Sequence, residues 1–194
     1  MALMQRGRHY LFFAIRPDAA TAERICRLAA DFRRRHQLAG RPVAAERLHI
    51  SLNFVADLCR PDPQVIDRAV AAAAEVVMPS FVVALDQLGT WGRGAGPKPV
   101  VLGADDGVIG ANLLHGKIHP ALARAGLAPR IEPVIEPHLT LLRDTAHVPM
   151  AYVEPLIWRV EAFVLLDSVR GEGRHEVLGC WPLTGPSNAA MSPS

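Results

Sequence analysis

The stretch Arg47-Leu48-His49-Ile50-Ser51-Leu52 has a counterpart at Pro137-His138-Leu139-Thr140-Leu141-Leu142-Arg143. Both contain histidine, an apolar residue, a hydroxyl residue and a second apolar residue, in that order. On an extended strand, residues i and i+2 face the same side. Each copy therefore sets an imidazole and a hydroxyl on one face and turns its apolar residues toward a core. Two such strands side by side would gather His49, Ser51, His138 and Thr140 on one surface. Apolar residues make up 50% of the chain, so one match to this pattern is unremarkable. A second match among 8 histidines is less expected. A pair of structural histidines would fit the same pattern.

Around the two copies, residues 47–54 and 138–142 are expected to be strands. Residues 9–15 are aromatic and β-branched and predict an earlier strand. Asp18 then caps a helix reaching residue 38, with Ile25, Leu28, Ala29 and Phe32 at helical spacing. Arg33, Arg34 and Arg35 suit the negative end of its dipole, either as a solvated helix end or as phosphate contacts. Residues 40–46 read as a loop. Asp62-Pro63 opens a second helix, to residue 76, and 81–88 is a strand. The glycine- and proline-rich loop 89–99 carries Trp91, Arg93 and Lys98 but lacks the spacing of a nucleotide phosphate loop. A strand at 100–103, a helix at 107–124 stopped by Gly126, and a loop or irregular strand at 129–137 lead to the second motif. Residues 157–168 read as one long strand. Residues 175–183 are its hairpin partner, across a turn holding Gly171 and Gly173. Strand, helix and histidine-led strand thus recur in the same order over 9–54 and 100–142, without close sequence similarity.

The chain of 194 residues fits a single two-lobed domain over 1–184, followed by a small, polar and disordered tail at 185–194. A net charge of +2 neither demands nor excludes nucleic acid, since a local cluster can bind phosphate. Cys26, Cys59 and Cys180 are widely spaced, without the pairing of a zinc or redox motif. They read as reduced thiols of a cytoplasmic protein. No apolar run is long enough to cross a membrane. The short run 10–15 is cut off by Arg16-Pro17-Asp18 and reads as a strand rather than a leader.

Paired histidines have a specific use. Free histidine titrates near pH 6.5, as both donor and acceptor of protons in the neutral range. Opening a cyclic phosphodiester needs a base to activate water and an acid to protonate the departing ribose oxygen. Two imidazoles can divide that work. The hydroxyls of Ser51 and Thr140 can donate to non-bridging phosphate oxygens. The scheme needs no metal and no cofactor, and no carboxylate cluster suited to two metal ions is visible.

These motifs, with the opening Leu11-Phe12-Phe13-Ala14-Ile15, resemble the 2H phosphoesterases over most of the chain. Within them the resemblance is to the bacterial and archaeal RNA 2′,3′-cyclic phosphodiesterases, historically called 2′-5′ RNA ligases. Ser51 stands where threonine is common and keeps the hydroxyl. The resemblance implies a bilobal α+β fold: two antiparallel sheets, flanking helices, pseudo-duplicated lobes and a central cleft faced by the motifs. It implies hydrolysis of RNA 2′,3′-cyclic phosphate ends to 2′-phosphate, with His49 as proton donor and His138 as proton acceptor. The implied partners are RNA ends or small cyclic nucleotides, met by a monomer without a membrane.

Other residues carry weaker signals. Arg143 is either a surface arginine or a contact to phosphate or the RNA end. Tyr10 and Phe12 are either packing residues or platforms for a base. His115 and His119, four apart on a helix, have a spacing seen in metal sites. With no third ligand in view, they read as a surface pair. Two other functions remain open: a phosphodiesterase for small cyclic or 2′-5′-linked nucleotides, and an RNA-binding protein without turnover. The first would use the same two histidines. The second has no need of matched proton-transfer groups.

Overall fold

The computed structural model describes residues 7–92, 94–127 and 135–185. Strand β1 (His9–Ile15) leads to helix α1 (Ala19–Arg35). The Asp18 carboxylate caps this helix, accepting from the Thr21 N–H at 2.8 Å and the Thr21 hydroxyl at 2.9 Å. Those two bonds hold the Asp18 carboxyl below its ordinary pKa. One face of α1 buries Ala22, Ile25, Ala29 and Phe32, the periodicity expected from the sequence. A single 3₁₀ turn (Ala45–Arg47) precedes β2 (Ile50–Leu58). Asp62 caps α2 (Pro63–Ala74) by accepting from the Gln64 N–H at 3.0 Å. There follow β3 (Phe81–Thr90), β4 (Lys98–Gly103), α3 (Ile109–Arg124), β5 (Leu139–Asp144), β6 (Ala151–Val160), β7 (Ala162–Val169) and β8 (His175–Pro182).

The strands run in the order β6-β3-β4-β5-β2-β1-β7-β8, and every pairing is antiparallel. Where two sheets were expected, the strands form one eight-stranded sheet, because β2 pairs with β5 and joins the halves β6-β3-β4-β5 and β2-β1-β7-β8. The halves meet through one registered pair, Ile50 with Leu139. Each half contains a strand–helix–strand unit, β1-α1-β2 or β4-α3-β5, and the two units put β2 and β5 side by side. The helices reinforce this narrow junction. Helix α1 packs across onto β5 and β6, and α3 packs onto β2 as well as β3. Ile50 and Leu139 are themselves fully buried. Truncating either to alanine would cost about 2–5 kcal/mol at the point where the halves join.

The expected long strand at 157–168 is two strands. Burial alternates on Leu156, Trp158 and Val160, then shifts phase to Phe163 and Leu165. At Glu161 the chain leaves β3 in one half and joins β1 in the other. Two successive residues therefore face away from the core, and one continuous pleat cannot accommodate them. Gly185 is bonded to the Met78 carbonyl at 3.2 Å. The rest of the expected tail, residues 186–194, lies outside the described residues, as do Arg93 and most of the 129–137 segment. Among the described residues no helix is long and apolar enough to cross a membrane.

Candidate active site

His49 and His138 each stand immediately before a strand, β2 or β5. Alternation buries Leu48, Ile50 and Leu52 around one, and Pro137, Leu139 and Leu141 around the other. The imidazoles and hydroxyls consequently face outward. Antiparallel pairing of Ile50 with Leu139, continued one residue each way, sets His49 opposite Thr140 and Ser51 opposite His138. The two histidines are then diagonal neighbours, about 7–8 Å apart in a regular ladder. His49, Ser51, His138, Thr140 and Arg143 line one cavity of about 530 Å³, together with Arg41, Arg47 and His175.

The two rings are held in the same way. His49 Nδ1 lies 2.7 Å from the Arg47 carbonyl, and His138 Nδ1 lies 2.8 Å from the Glu136 carbonyl. A carbonyl can only accept, so Nδ1 carries the proton in both rings. Nε2 is left to take or give a proton. Each backbone carbonyl two residues upstream thus selects the tautomer.

The electrostatic settings differ. Burial pushes both histidines below their ordinary pKa. For His49 the Arg47 carbonyl opposes this, while Arg47, Arg16 and His138 add to it. For His138 the carbonyl and charge of Glu136 oppose it, and Arg143 adds to it. His175 is depressed to about 4, by burial first and then by His49, Arg47 and Arg16. The cavity is therefore poor in bound protons and rich in fixed positive charge, the setting that favours a phosphate anion.

Several of these neighbours could not be read from the motifs. His175 begins β8, and its ring meets His49 edge to face at 4.9 Å between centroids. Phe12 packs against both, at 5.2 Å and 5.8 Å. Trp91 meets His138 edge to face at 4.1 Å. Arg41 arrives on the 40–43 segment, which is pinned along β5. The Val43 N–H donates to the Leu141 carbonyl at 2.7 Å, and the Gly40 N–H donates to the Asp144 carboxylate at 2.7 Å. Asp144, buried and also bonded to the Ala146 N–H, is held below its ordinary pKa by these backbone donors. Tyr10 lines a neighbouring cavity, and its hydroxyl accepts from Arg170 at 3.2 Å. His115, expected on the surface, is buried, with Nδ1 3.2 Å from the Leu52 carbonyl. Helix α3 turns it toward β2, a packing relation that its spacing from His119 does not report. Among the described residues no three His, Cys, Asp or Glu side chains are grouped to hold a metal ion.

A two-lobed antiparallel sheet with paired histidine–hydroxyl strands facing one cleft is the framework of a two-histidine phosphoesterase, and the comparisons agree. The family model for LigT-like phosphoesterases matches residues 15–101. The RNA 2′,3′-cyclic phosphodiesterase of Escherichia coli (strain K12) is 32% identical over 180 residues, spanning 90% of this chain and 96% of that protein. The crystal structure of E. coli LigT in apo form superimposes with a TM-score of 0.73 at 30% identity, covering 92% of this chain and 99% of that one. The structure of E. coli LigT complexed with 3′-AMP gives a TM-score of 0.69 at 29% identity, with the same coverage. The chain belongs to the LigT-like phosphoesterase family.

Proposed function

We propose that the protein hydrolyses the 2′,3′-cyclic phosphate at an RNA end to a 2′-phosphate, with both proton transfers supplied by the chain. The observation that carries this reading is the duplicated setting of His49 and His138. Two rings with the same tautomer and a free Nε2 open on one arginine-lined cavity. The relative that is 32% identical is named as an RNA 2′,3′-cyclic phosphodiesterase, which supports the same chemistry here.

In this mechanism phosphorus sits between the histidines, its non-bridging oxygens bonded to the Ser51 and Thr140 hydroxyls. His138 Nε2 takes a proton from water as the water oxygen attacks phosphorus. The bond from phosphorus to the ribose 3′ oxygen breaks, and protonated His49 gives that oxygen its proton. The product carries a 3′ hydroxyl and a 2′-phosphate. The arginines stabilise the charge that builds on the equatorial oxygens. Phe12 supports the acid ring from behind, Arg143 contacts the phosphate or the RNA end, and Tyr10 is a platform toward the base. The protein works as a monomer in the cytoplasm.

The test is incubation of purified protein with an RNA oligomer ending in 2′,3′-cyclic phosphate, in EDTA, with the product resolved by ³¹P NMR. Formation of a 2′-phosphate is expected. An unchanged substrate, or turnover restored only by a divalent metal, would refute the scheme.

A further inference from the structure

The groove continues past the histidines. Beyond Ser51 and His138 it opens into a second cavity of about 650 Å³, lined by Tyr10, Asn53, Phe54, Asp57, Trp91 and Glu136 among others. That volume is in the range of small-molecule sites, roughly 300–1,000 Å³. Its character is opposite to that of the phosphate end. Arg41, Arg47 and Arg143 line the first cavity, whereas no lysine or arginine is among the described residues lining the second.

Two features give it a chemistry. Three aromatic side chains border it, and one of them, Phe54, is 41% exposed, a large apolar ring left partly in water. Its polar lining includes three acceptors. Glu136 brings a carboxylate, and so does Asp57, one of whose oxygens already accepts from Arg8 at 2.6 Å. The Asn53 side-chain oxygen is buried and has no hydrogen-bond partner among the described residues, while its nitrogen donates to the His115 carbonyl at 3.4 Å. With no lysine or arginine among the described residues of its lining, the cavity offers a phosphate less than the first one does. A flat ring with an amino group on its edge would stack and donate.

We propose that this second cavity is a nucleobase subsite that favours bases bearing an exocyclic amino group over uracil. The proposal deepens the phosphoesterase reading and rests on it for the phosphate held next door. The base comes either from the nucleotide carrying the cyclic phosphate or from its 5′ neighbour. Both present the same ring, and the substrates separate them.

The experiment compares wild type and Phe54→Ala on adenosine and uridine 2′,3′-cyclic phosphates, and on dinucleotides ending in uridine cyclic phosphate with adenosine or uridine at the 5′ position. Among the described residues the ring contacts of the two histidines are to Phe12, His175 and Trp91 and not to Phe54, so loss of Phe54 should raise KM and leave kcat unchanged. Base stacking of ordinary strength predicts a KM rise of about tenfold for the adenine-containing substrate. A rise confined to the mononucleotide pair assigns the terminal base, and a rise confined to the dinucleotide pair assigns the neighbour. Either result supports the subsite. Equal KM values for adenine and uracil throughout, or values untouched by Phe54→Ala, would overturn it. Calorimetric titration of adenosine and uridine into His49→Ala tests the cavity apart from turnover. If wild type opens no cyclic phosphate yet adenosine binds and Phe54→Ala abolishes the binding, the activity is wrong and the subsite stands. If adenosine binds no better than uridine there, the subsite falls.

Discussion

Ile50 and Leu139 face each other across β2 and β5 as the single registered pair, among the described residues, between the two halves of the sheet. Both are fully buried, and each lies between a histidine and a hydroxyl residue of its own strand. Their contact therefore sets the register of the catalytic groups on the opposite face. A slip of one residue would turn one strand's imidazole into the core.

His49→Ala and His138→Ala should each lower kcat/KM for a cyclic phosphate by about 10²- to 10⁴-fold, the usual worth of a positioned acid or base. The double variant should be far less than multiplicatively worse, because the groups act as a unit. A p-nitrophenyl leaving group, which departs without a proton, should partly rescue His49→Ala and leave His138→Ala unrescued. The opposite pattern would exchange the two roles. Ser51→Ala and Thr140→Ala should be milder, since each removes one hydrogen bond to phosphate.

The pH profile of kcat/KM should be bell-shaped, with its optimum on the acid side of about 6.5, the ordinary histidine value. Burial depresses both rings, so the free enzyme retains its single working proton only at lower pH. The two apparent values belong to the pair. Arg143 lowers His138 and Glu136 raises it. Arg143→Ala should accordingly move one limb upward, and Glu136→Gln should move it downward. Limbs unmoved by both changes would contradict this electrostatic account.

His175 couples stability to pH. Its folded-state pKa, about 4, lies below the unfolded value, so the native state binds fewer protons. The stabilisation from keeping it neutral is present above about pH 6.5 and is lost as pH falls toward 4. His175→Phe keeps a ring against His49 and removes the titration. Its melting temperature should fall less than that of wild type between pH 7 and pH 4.5. Parallel declines in the two proteins would show that other groups carry the acid sensitivity.

Gly40 is the position where the 38–43 segment touches β5. A Cβ there would lie 2.1 Å from the Arg143 carbonyl oxygen, a backbone atom with no rotamer to relieve the clash. Gly40→Ala should destabilise the fold by about 1–3 kcal/mol, read by denaturant titration. It should also raise KM, because Arg41 and Arg143 both shift from the cavity. Unchanged stability would mean that the segment moves freely over β5.

The chain's local chemistry was legible residue by residue. Alternation around His49 and His138 dictates that each imidazole shares a face with a hydroxyl, because a strand has a period of two. Asp18 and Asp62 announce their helices, because a short acceptor beside free N–H groups is a local signal. The tertiary structure decided what those faces meet. Nothing in the motifs pairs β2 with β5, brings His175 and Trp91 against the two rings, or lays Arg41 along β5. The break at Glu161 was hidden because apolar residues continue on both sides of it, and only a phase shift in alternation marks it. His115 was misplaced for a related reason: helical spacing states which residues share a face, and the packing of α3 onto β2 determines whether that face is buried. Contacts between residues far apart in the chain depend on which elements can bury one another's apolar surface, and that choice belongs to the assembled fold.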